Sequence, residues 1–133
     1  MKHHGFKKKE RIRQKKLIQQ LFTEGKAFRL SLLRCYYLPY EGITHQVLFS
    51  VPKKIIKKAV VRNALKRRMR EAYRLSKHMI GVVETCCATR FCIGYVYVGR
   101  GGKKPTYANF LQDIEKSMGR LQALLHSFGQ VDA

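Results

Sequence analysis

The sequence predicts one small α+β domain in which helices pack against a single β-sheet. Two observations indicate this class. Apolar residues recur with helical spacing in three stretches, and short runs of β-branched and aromatic residues lie between them. The 133 residues are 45% hydrophobic, which suffices for one domain with a buried core. We expect a single domain over 1–133, with a disordered basic arm over 1–9 and a frayed tail over 127–133.

The first predicted helix spans about Gln14 to Glu24. Its apolar face, at helical spacing, comprises Leu17, Ile18, Leu21 and Phe22. Gly25 follows where a helix C-terminus favours a residue that tolerates positive φ. This pattern is typical of a helix that covers one side of a core.

Strands are predicted after this helix. One spans Leu32 to Leu38 and ends at Pro39, and the next spans Gln46 to Val51 and ends at Pro52. The segment Tyr40-Glu41-Gly42 between them is a predicted turn, so we expect the two strands to pair as antiparallel neighbours. The sequence is also compatible with a further short strand over Ala27 to Leu30, which would bring the strands before the second helix to three.

The second half contains a helix, a strand and a closing helix. The helix spans Lys57 to about Ile80, with Gly81 as its stop, and its stripe comprises Val61, Leu65, Met69, Ala72, Leu75 and Met79. Phe91 to Val98 is predicted to be an interior strand covered on both faces. After the loop Gly99–Gly102, a helix spans Thr106 to about His126, with the buried stripe Phe110, Ile114, Met118, Leu121 and Leu125.

The charge is strongly positive and unevenly distributed. Lys and Arg number 28 against 8 Asp and Glu, for a formal charge of +20. Most of it lies in Lys2–Lys16 and Lys53–Lys77, which contain one acid each. The excess indicates a polyanionic partner, and nucleic acid is favoured over a membrane because no apolar run approaches the ~20 residues of a spanning helix. No signal peptide is recognisable, so a cytoplasmic location is expected.

Basic residues in the second helix step by four and form a row, which comprises Lys58, Arg62, Lys66, Arg70 and Arg74. Like charges at this spacing destabilise an isolated helix by roughly 0.2–0.5 kcal/mol per pair, and phosphates would relieve that repulsion. The alternative is a solvated charged face, although such faces usually mix signs and Glu71 is the only acid here. The N-terminal basic zone is explained as well by a disordered arm.

Asn63 and three aromatic residues each have a functional and a structural interpretation. Asn63 could coordinate a hydrated metal or read a base edge, or it could simply solvate the first helical turn. Tyr36 and Tyr37 are adjacent in a strand, so only one can face the core, and the other could stack a base for ~1–3 kcal/mol. For Phe22, core packing is the simpler interpretation.

No catalytic constellation is recognisable in the sequence. The acids form no obvious two-metal clamp, the histidines are scattered, and Gly99–Gly102 lacks the P-loop pattern. The cysteines contain no C-x-x-C pair and are expected to be reduced, mostly buried thiols: Cys35, Cys86, Cys87 and Cys92. We therefore expect RNA binding without catalysis by the protein itself, and no small-molecule substrate.

Three segments carry a resemblance to a known family. The N-terminal segment contains Phe6, Arg11-Ile12 and Leu21-Phe22-Thr23-Glu24-Gly25. The second segment is Leu33-Arg34-Cys35-Tyr36-Tyr37-Leu38-Pro39. The third contains Phe49-Ser50-Val51-Pro52-Lys53-Lys54 and the stretch Ala59–Arg74. Together they resemble the bacterial ribonuclease P protein subunit. The resemblance covers about Phe6 to Leu125 and is most specific in the middle of the chain.

The resemblance implies a fold, a function and partners. The fold is an α-β-β-β-α-β-α sandwich with a four-stranded mixed sheet and a left-handed β-α-β crossover, similar to a domain found in ribosomal proteins. The family protein joins a catalytic RNA, which uses Mg²⁺ to remove the 5′ leader from precursor tRNA. One protein would bind one RNA as a monomer. The leader lies in a cleft between the first helix and the sheet.

Residue by residue, the resemblance assigns two sets of side chains. The RNA-binding set is Lys53, Lys54, Lys58, Arg62, Asn63, Lys66, Arg67, Arg68, Arg70 and Arg74. The leader-cleft set is Ile18, Phe22, Tyr36, Lys66 and Arg70. Asn63 could contact a metal ion through one of its bound waters, and no direct protein ligand is implied. Two positions depart from the family pattern: Ile18 replaces a second cleft aromatic, and Ala64 stands where the Arg-Asn-Arg motif has its second arginine.

Two other classes of protein share part of this pattern. A structural ribosomal or ribosome-assembly protein would have the same basic charge, but the spacing from Phe22 through Tyr36 to Arg62–Arg70 favours the first hypothesis. A DNA-binding helix is less well supported, because no helix-turn-helix precedes the basic helix.

Overall fold

A computed structural model of the protein describes residues 11–12, 14–41, 45–76, 89–99 and 105–131. The elements in chain order are α1 (Lys15–Glu24), β1 (Lys26–Arg29), β2 (Leu33–Glu41), β3 (Gln46–Ser50), α2 (Ala59–Ser76), β4 (Thr89–Tyr97) and α3 (Tyr107–Val131). This order confirms the predicted α-β-β-β-α-β-α arrangement, including the short strand β1. The predicted arm over 1–9, the helix stop at Gly81, Cys86, Cys87 and the loop over 100–102 lie outside the described residues.

The four strands form one mixed sheet in the order β1-β2-β4-β3. β1 pairs with β2 and β2 with β4 in antiparallel fashion, whereas β3 pairs with β4 in parallel. The prediction that β2 and β3 are antiparallel neighbours is therefore wrong. The reason is that β4 is apolar towards both faces and gains most burial in the interior of the sheet. The unit β3-α2-β4 is the crossover for which the resemblance implies a left hand.

Alternate residues of β4 separate the two faces of the sheet. Phe91, Ile93 and Tyr95 belong to the main core with α2 and α3. Cys92 belongs to a smaller cluster with α1, and Gly94 lies under the same helix. α1 thus covers one face while α2 and α3 cover the other, which confirms the prediction of an interior strand covered on both sides.

β2 continues through Pro39 to Glu41, although its end and a turn were predicted there. The Val98 amide donates to the Leu32 carbonyl, so the even-numbered residues of β2 direct their backbone polar groups towards β4. The nitrogen of Pro39 therefore points to the opposite edge. β1 does not reach Pro39 on that edge, because its first residue, Lys26, lies opposite Tyr37. Pro39 removes no ladder hydrogen bond and is tolerated.

The boundaries of the helices differ modestly from the predictions. Gly25 ends α1 in extended backbone with φ −70°, so positive φ is not the reason for glycine. A Cβ there would collide with the carbonyl oxygen of Leu21 and approach that of Tyr37 to 2.9 Å. α3 begins after Thr106, whose hydroxyl accepts from the Asn109 amide at 3.3 Å. The helix continues to Val131, so 127–131 are helical where a frayed tail was predicted.

The buried face of α2 is rotated from the predicted stripe at its C-terminal end. Leu65, Met69 and Ala72 are buried as predicted, but Leu75 is exposed. Tyr73 occupies the core instead, with its ring 5.9 Å from that of Phe49. Because the helix has 3.6 residues per turn, residues spaced by three or four positions gradually change direction around its axis. Sequence periodicity alone therefore does not show which residue near the C-terminal end faces the core.

Candidate nucleic-acid interface

An aromatic pair lies where α1 crosses the sheet. The ring of Phe22 meets that of Tyr36 edge to face, with centroids 4.8 Å apart, and both side chains are only half-buried. Gly94 permits this arrangement, because a Cβ there would lie 3.0 Å from Leu21 Cδ2 and 3.4 Å from Phe22 Cζ. Ile18, also half-buried, packs in the same cluster. Phe22 is therefore not fully enclosed, and its ring and that of Tyr36 retain surface for a ligand.

Tyr36 and Tyr37 point to opposite faces of β2, as their adjacency predicts. Tyr37 packs against the main core, with its ring 5.9 Å from Phe28 and 5.7 Å from Phe91. Tyr36 packs on the side of α1. Only Tyr36 is therefore available to the cleft.

The predicted basic residues around the start of α2 are exposed. Lys53 and Lys54 lie in the turn after β3, where the amides of Ile55 and Ile56 both donate to the Pro52 carbonyl at 3.1 Å. Five of the predicted RNA-binding side chains along this stretch and the helix are exposed: Lys53, Lys54, Lys58, Asn63 and Arg67. A continuous basic surface therefore extends from this turn onto α2, where it can meet a polyanion.

Lys66 and Arg70 are half-buried on α2. The pKa of the Arg70 guanidinium is lowered, first by its partial burial and then by repulsion from Arg11 and Arg67. Arginine nevertheless remains charged at neutral pH. Three like charges lie near one another here, and an anion would relieve their repulsion.

Three other predicted RNA-binding arginines are engaged within the chain. Arg62 Nη1 donates to the carbonyls of Ile56 at 3.0 Å and Lys57 at 2.7 Å, and so holds the segment that leads into α2. Arg68 Nη1 donates to the Pro105 carbonyl at 3.1 Å, at the start of α3.

Arg74 forms an ion pair with Glu71, one turn away on α2. The hydrogen bond from Arg74 lowers the pKa of Glu71, and the same bond raises the pKa of Arg74. The charge of Arg74 is thus offset locally, whereas no acid among the described residues is paired with Arg70.

Sequence reasoning left Arg11 out of the site. The Ile12 amide donates to the Val47 carbonyl at 3.3 Å, and Ile12 is buried, so this segment lies along the edge strand β3. That contact places the exposed Arg11 near enough to Arg70 to affect its pKa. The signal in the sequence was an apolar residue, Ile12, within an otherwise basic N-terminal zone.

The described residues contain no cluster of three or more His, Cys, Asp or Glu that could hold a metal ion. Burial raises the pKa of the Cys92 thiol to about 11 and that of Cys35 further, so both thiols are protonated and unreactive at neutral pH. His45 is buried and its Nδ1 accepts from the Phe91 amide at 2.9 Å. These groups contribute to structure.

None of the described helices combines the length and apolar character needed to cross a lipid bilayer.

Comparisons with known proteins agree with this geometry. The family model described as Ribonuclease P matches residues 6–122. The ribonuclease P protein component of Chlorobium phaeobacteroides is 30% identical over 130 residues, which cover 90% of this chain and 89% of that protein. The component from Porphyromonas gingivalis is 42% identical over 82 residues, 59% of this chain. That match spans 60% of the Porphyromonas protein, so the chain aligns with less than two thirds of this relative.

Solved structures show the same fold. The RNase P protein of Staphylococcus aureus superposes with a TM-score of 0.66 at 22% identity, covering 84% of this chain and 94% of that one. The RNase P protein of Thermotoga maritima superposes with a TM-score of 0.63 at 22% identity, covering 84% and 96% respectively. At this identity the likeness concerns the fold alone.

Proposed function

Because the chain belongs to the ribonuclease P protein family, we propose that it is the protein subunit of ribonuclease P, an RNA-based endoribonuclease. In that role it binds the catalytic RNA and the 5′ leader of precursor tRNA, and assists endonucleolytic removal of the leader. The observation that supports leader binding best is the half-exposed Phe22–Tyr36 pair on the face of the sheet that α1 covers. Stacked aromatics with nearby cations are the usual means of binding single-stranded RNA.

The leader would cross the face of the sheet beside α1. A base can stack on the exposed part of the Phe22–Tyr36 pair, and the cations Lys66, Arg70 and Arg11 can neutralise backbone phosphates. Ile18 would add apolar contact without stacking. Such contacts read no particular base edge, which suits a protein that must accept the leaders of many tRNAs.

The catalytic RNA would contact the exposed cations of α2 and of the turn before it. The side chains suited to this are the exposed Lys53, Lys54, Lys58 and Arg67, together with the half-buried Arg70. Arg62, Arg68 and Arg74 would contribute chiefly by shaping and orienting that surface, since their guanidinium groups are engaged within the chain. One protein would bind one RNA, in the cytoplasm.

Catalysis would belong to the RNA and its Mg²⁺ ions. Magnesium usually binds through carboxylates, phosphates and its own waters, and the exposed surface of α2 is rich in cations that would repel a bare ion. Asn63 is exposed there, and its carboxamide oxygen can accept from a water bound to an RNA-held ion. The protein would thus hold RNA near the metal without ligating it.

Reconstitution tests this proposal. The purified protein is added to a bacterial ribonuclease P RNA at low Mg²⁺, and cleavage of precursor tRNA is followed across a range of salt. We expect stimulation by the protein and no cleavage by the protein alone. A ribosome-assembly protein would bind RNA but leave the cleavage rate unchanged, and that result would reject the proposal.

A further inference from the structure

The register of the sheet creates a row of side chains on the face that α1 partly covers. Leu33 and Cys35 are buried in the main core, so Arg34 between them points to the opposite face, as Tyr36 does. Across the strands, the row that contains Tyr36 comprises Ala27, Tyr36, Gly94 and Leu48. The next row comprises Arg29, Arg34, Val96 and Ser50.

Two arginines stand directly opposite each other in the second row. Arg29 pairs with Arg34 in the antiparallel β1–β2 ladder, and both side chains are exposed. The Leu30 amide donates to the Leu33 carbonyl at 2.8 Å, which makes the neighbouring Arg29–Arg34 pair the non-hydrogen-bonded kind, with closer side chains. Like charges opposed in this way destabilise a sheet.

No acid within the described residues is paired with either arginine. Arg29 uses Nε to donate to the Leu30 carbonyl at 3.3 Å, which leaves its terminal nitrogens directed away from that bond. The side chain of Arg34 makes no hydrogen bond or ion pair with any residue that the structure describes. The pair therefore offers several donors and a repulsion that an oxyanion would relieve.

The arginine pair lies next to the aromatic pair. Arg34 and Tyr36 are two residues apart on one face of β2, about 7 Å along the strand. Leu21 and Phe22 of α1 lie over Gly94 in the Tyr36 row, whereas Val96 in the Arg34 row is only half-buried. A single strand that stacks on Phe22 and Tyr36 thus finds an open path towards the arginines.

We propose that Arg29 and Arg34 form a phosphate-binding subsite for the single-stranded 5′ leader, beyond the Phe22–Tyr36 pair. This inference rests on the proposed function. The subsite engages only a leader long enough to extend past the aromatic pair, so it favours long leaders over short ones. Planar guanidinium groups suit this role because they can bind phosphate oxygens through two hydrogen bonds at once.

The test uses the full complex of protein and catalytic RNA. Precursor tRNA with the shortest leader that is cleaved is compared with precursor tRNA whose leader is several nucleotides longer. Arg34→Gln should weaken binding of the long-leader substrate by roughly two- to fivefold, as expected for an exposed charge contact. It should leave the short-leader substrate unaffected. Arg34→Lys should retain most of the affinity for the long leader.

Lys116→Gln is the matched control. Lys116 is exposed on α3, on the opposite side of the sheet, and its substitution removes the same charge. It should leave both substrates unaffected. In the free protein, Arg34→Gln should raise the melting temperature by up to a few degrees, because it removes the opposition to Arg29.

Two outcomes would overturn the subsite. An equal loss for short and long leaders would assign Arg34 to the catalytic RNA, and no loss for either would make the pair a solvated patch. Failure of the proposed function is a different result, in which the wild-type protein does not stimulate the RNA. In that case, binding of a single-stranded oligoribonucleotide to the free protein still reports on Arg34, and unchanged binding by Arg34→Gln would reject the subsite as well.

Discussion

At the scale of single residues, the arginines that share one row on α2 differ in their surroundings. Arg62, Arg70 and Arg74 lie in one i, i+4 row, yet Arg62 holds two backbone carbonyls and Arg74 is paired with Glu71. Arg70 instead faces the like charges of Arg11 and Arg67. Spacing placed these residues on one side of a helix, but partners from other segments decide which charge is available.

This difference predicts unequal effects on RNA binding. A plot of the logarithm of the binding constant against the logarithm of salt concentration has a negative slope. Arg70→Ala should make that slope shallower by about 0.7–0.9, the contribution of one phosphate contact. Arg74→Ala should change the slope less, because Glu71 already offsets its charge. Equilibrium binding to the catalytic RNA over a salt series measures both variants. Equal slope changes would show that the Glu71 ion pair does not survive in the complex.

Phe22 is predicted to stack a base of the leader. Phe22→Leu keeps an apolar side chain against Gly94 but removes the ring, and should weaken binding of leader-containing precursor tRNA by ~1–3 kcal/mol. Affinity for mature tRNA should not change. Phe28→Leu removes a ring from the other face of the sheet and serves as the control. Equal losses in the two variants would point to a general effect on folding.

Cys92 should make stability sensitive to alkaline pH. Burial raises the pKa of its thiol from 9.0 to about 11, so the unfolded chain loses this proton first and stability falls as pH rises between these values. Relative to Cys92→Ala, the wild type should lose about 2 kcal/mol of unfolding free energy from pH 9 to pH 11. Urea unfolding at several pH values measures this difference. Parallel curves for the two proteins would contradict the assignment.

At the scale of elements, the approach to α2 is organised by one side chain of the helix itself. The segment between Pro52 and Ala59 carries Lys53, Lys54 and Lys58, and Arg62 reaches back to hold two of its carbonyls. The position of these lysines thus depends on Arg62, the fourth residue of the helix. The pattern in the sequence indicated a charge at Arg62 and could not indicate this backbone contact.

Arg62→Ala should therefore affect both folding and RNA binding. Loss of the charged hydrogen bonds should lower the unfolding free energy by about 1–2 kcal/mol, measured in urea. Lys58→Ala, an exposed site in the same segment, should change stability by less than ~0.5 kcal/mol. An Arg62→Ala variant with wild-type stability and reduced RNA affinity would instead indicate direct contact with RNA.

At the scale of the whole molecule, the charge of +20 sets folding and binding against each other. The positive charges repel one another in the compact state, and RNA or salt relieves that repulsion. The main core on the α2–α3 face holds the fold together, while the α1 face carries the Phe22–Tyr36 pair and the exposed side of α2 carries cations.

Salt should therefore act in opposite directions on stability and affinity. Added NaCl should raise the melting temperature of the free protein by screening repulsion. The same salt should weaken RNA binding by favouring counterion association with the RNA. Thermal melts and binding isotherms over one salt series measure the two effects. A melting temperature that falls with salt would show that attractive ion pairs dominate the fold.

The sequence by itself determined the class of domain, the order of its elements apart from the short strand β1, and the basic side of α2, because periodicity, turn residues and charge runs are local properties of the chain. It also required Tyr36 and Tyr37 to face opposite ways. The tertiary structure decided that β4 lies between β2 and β3, that Pro39 stays in a strand, and that Arg29 stands opposite Arg34. These features depend on strand partners distant in sequence, and burial selects those partners only when the whole sheet assembles.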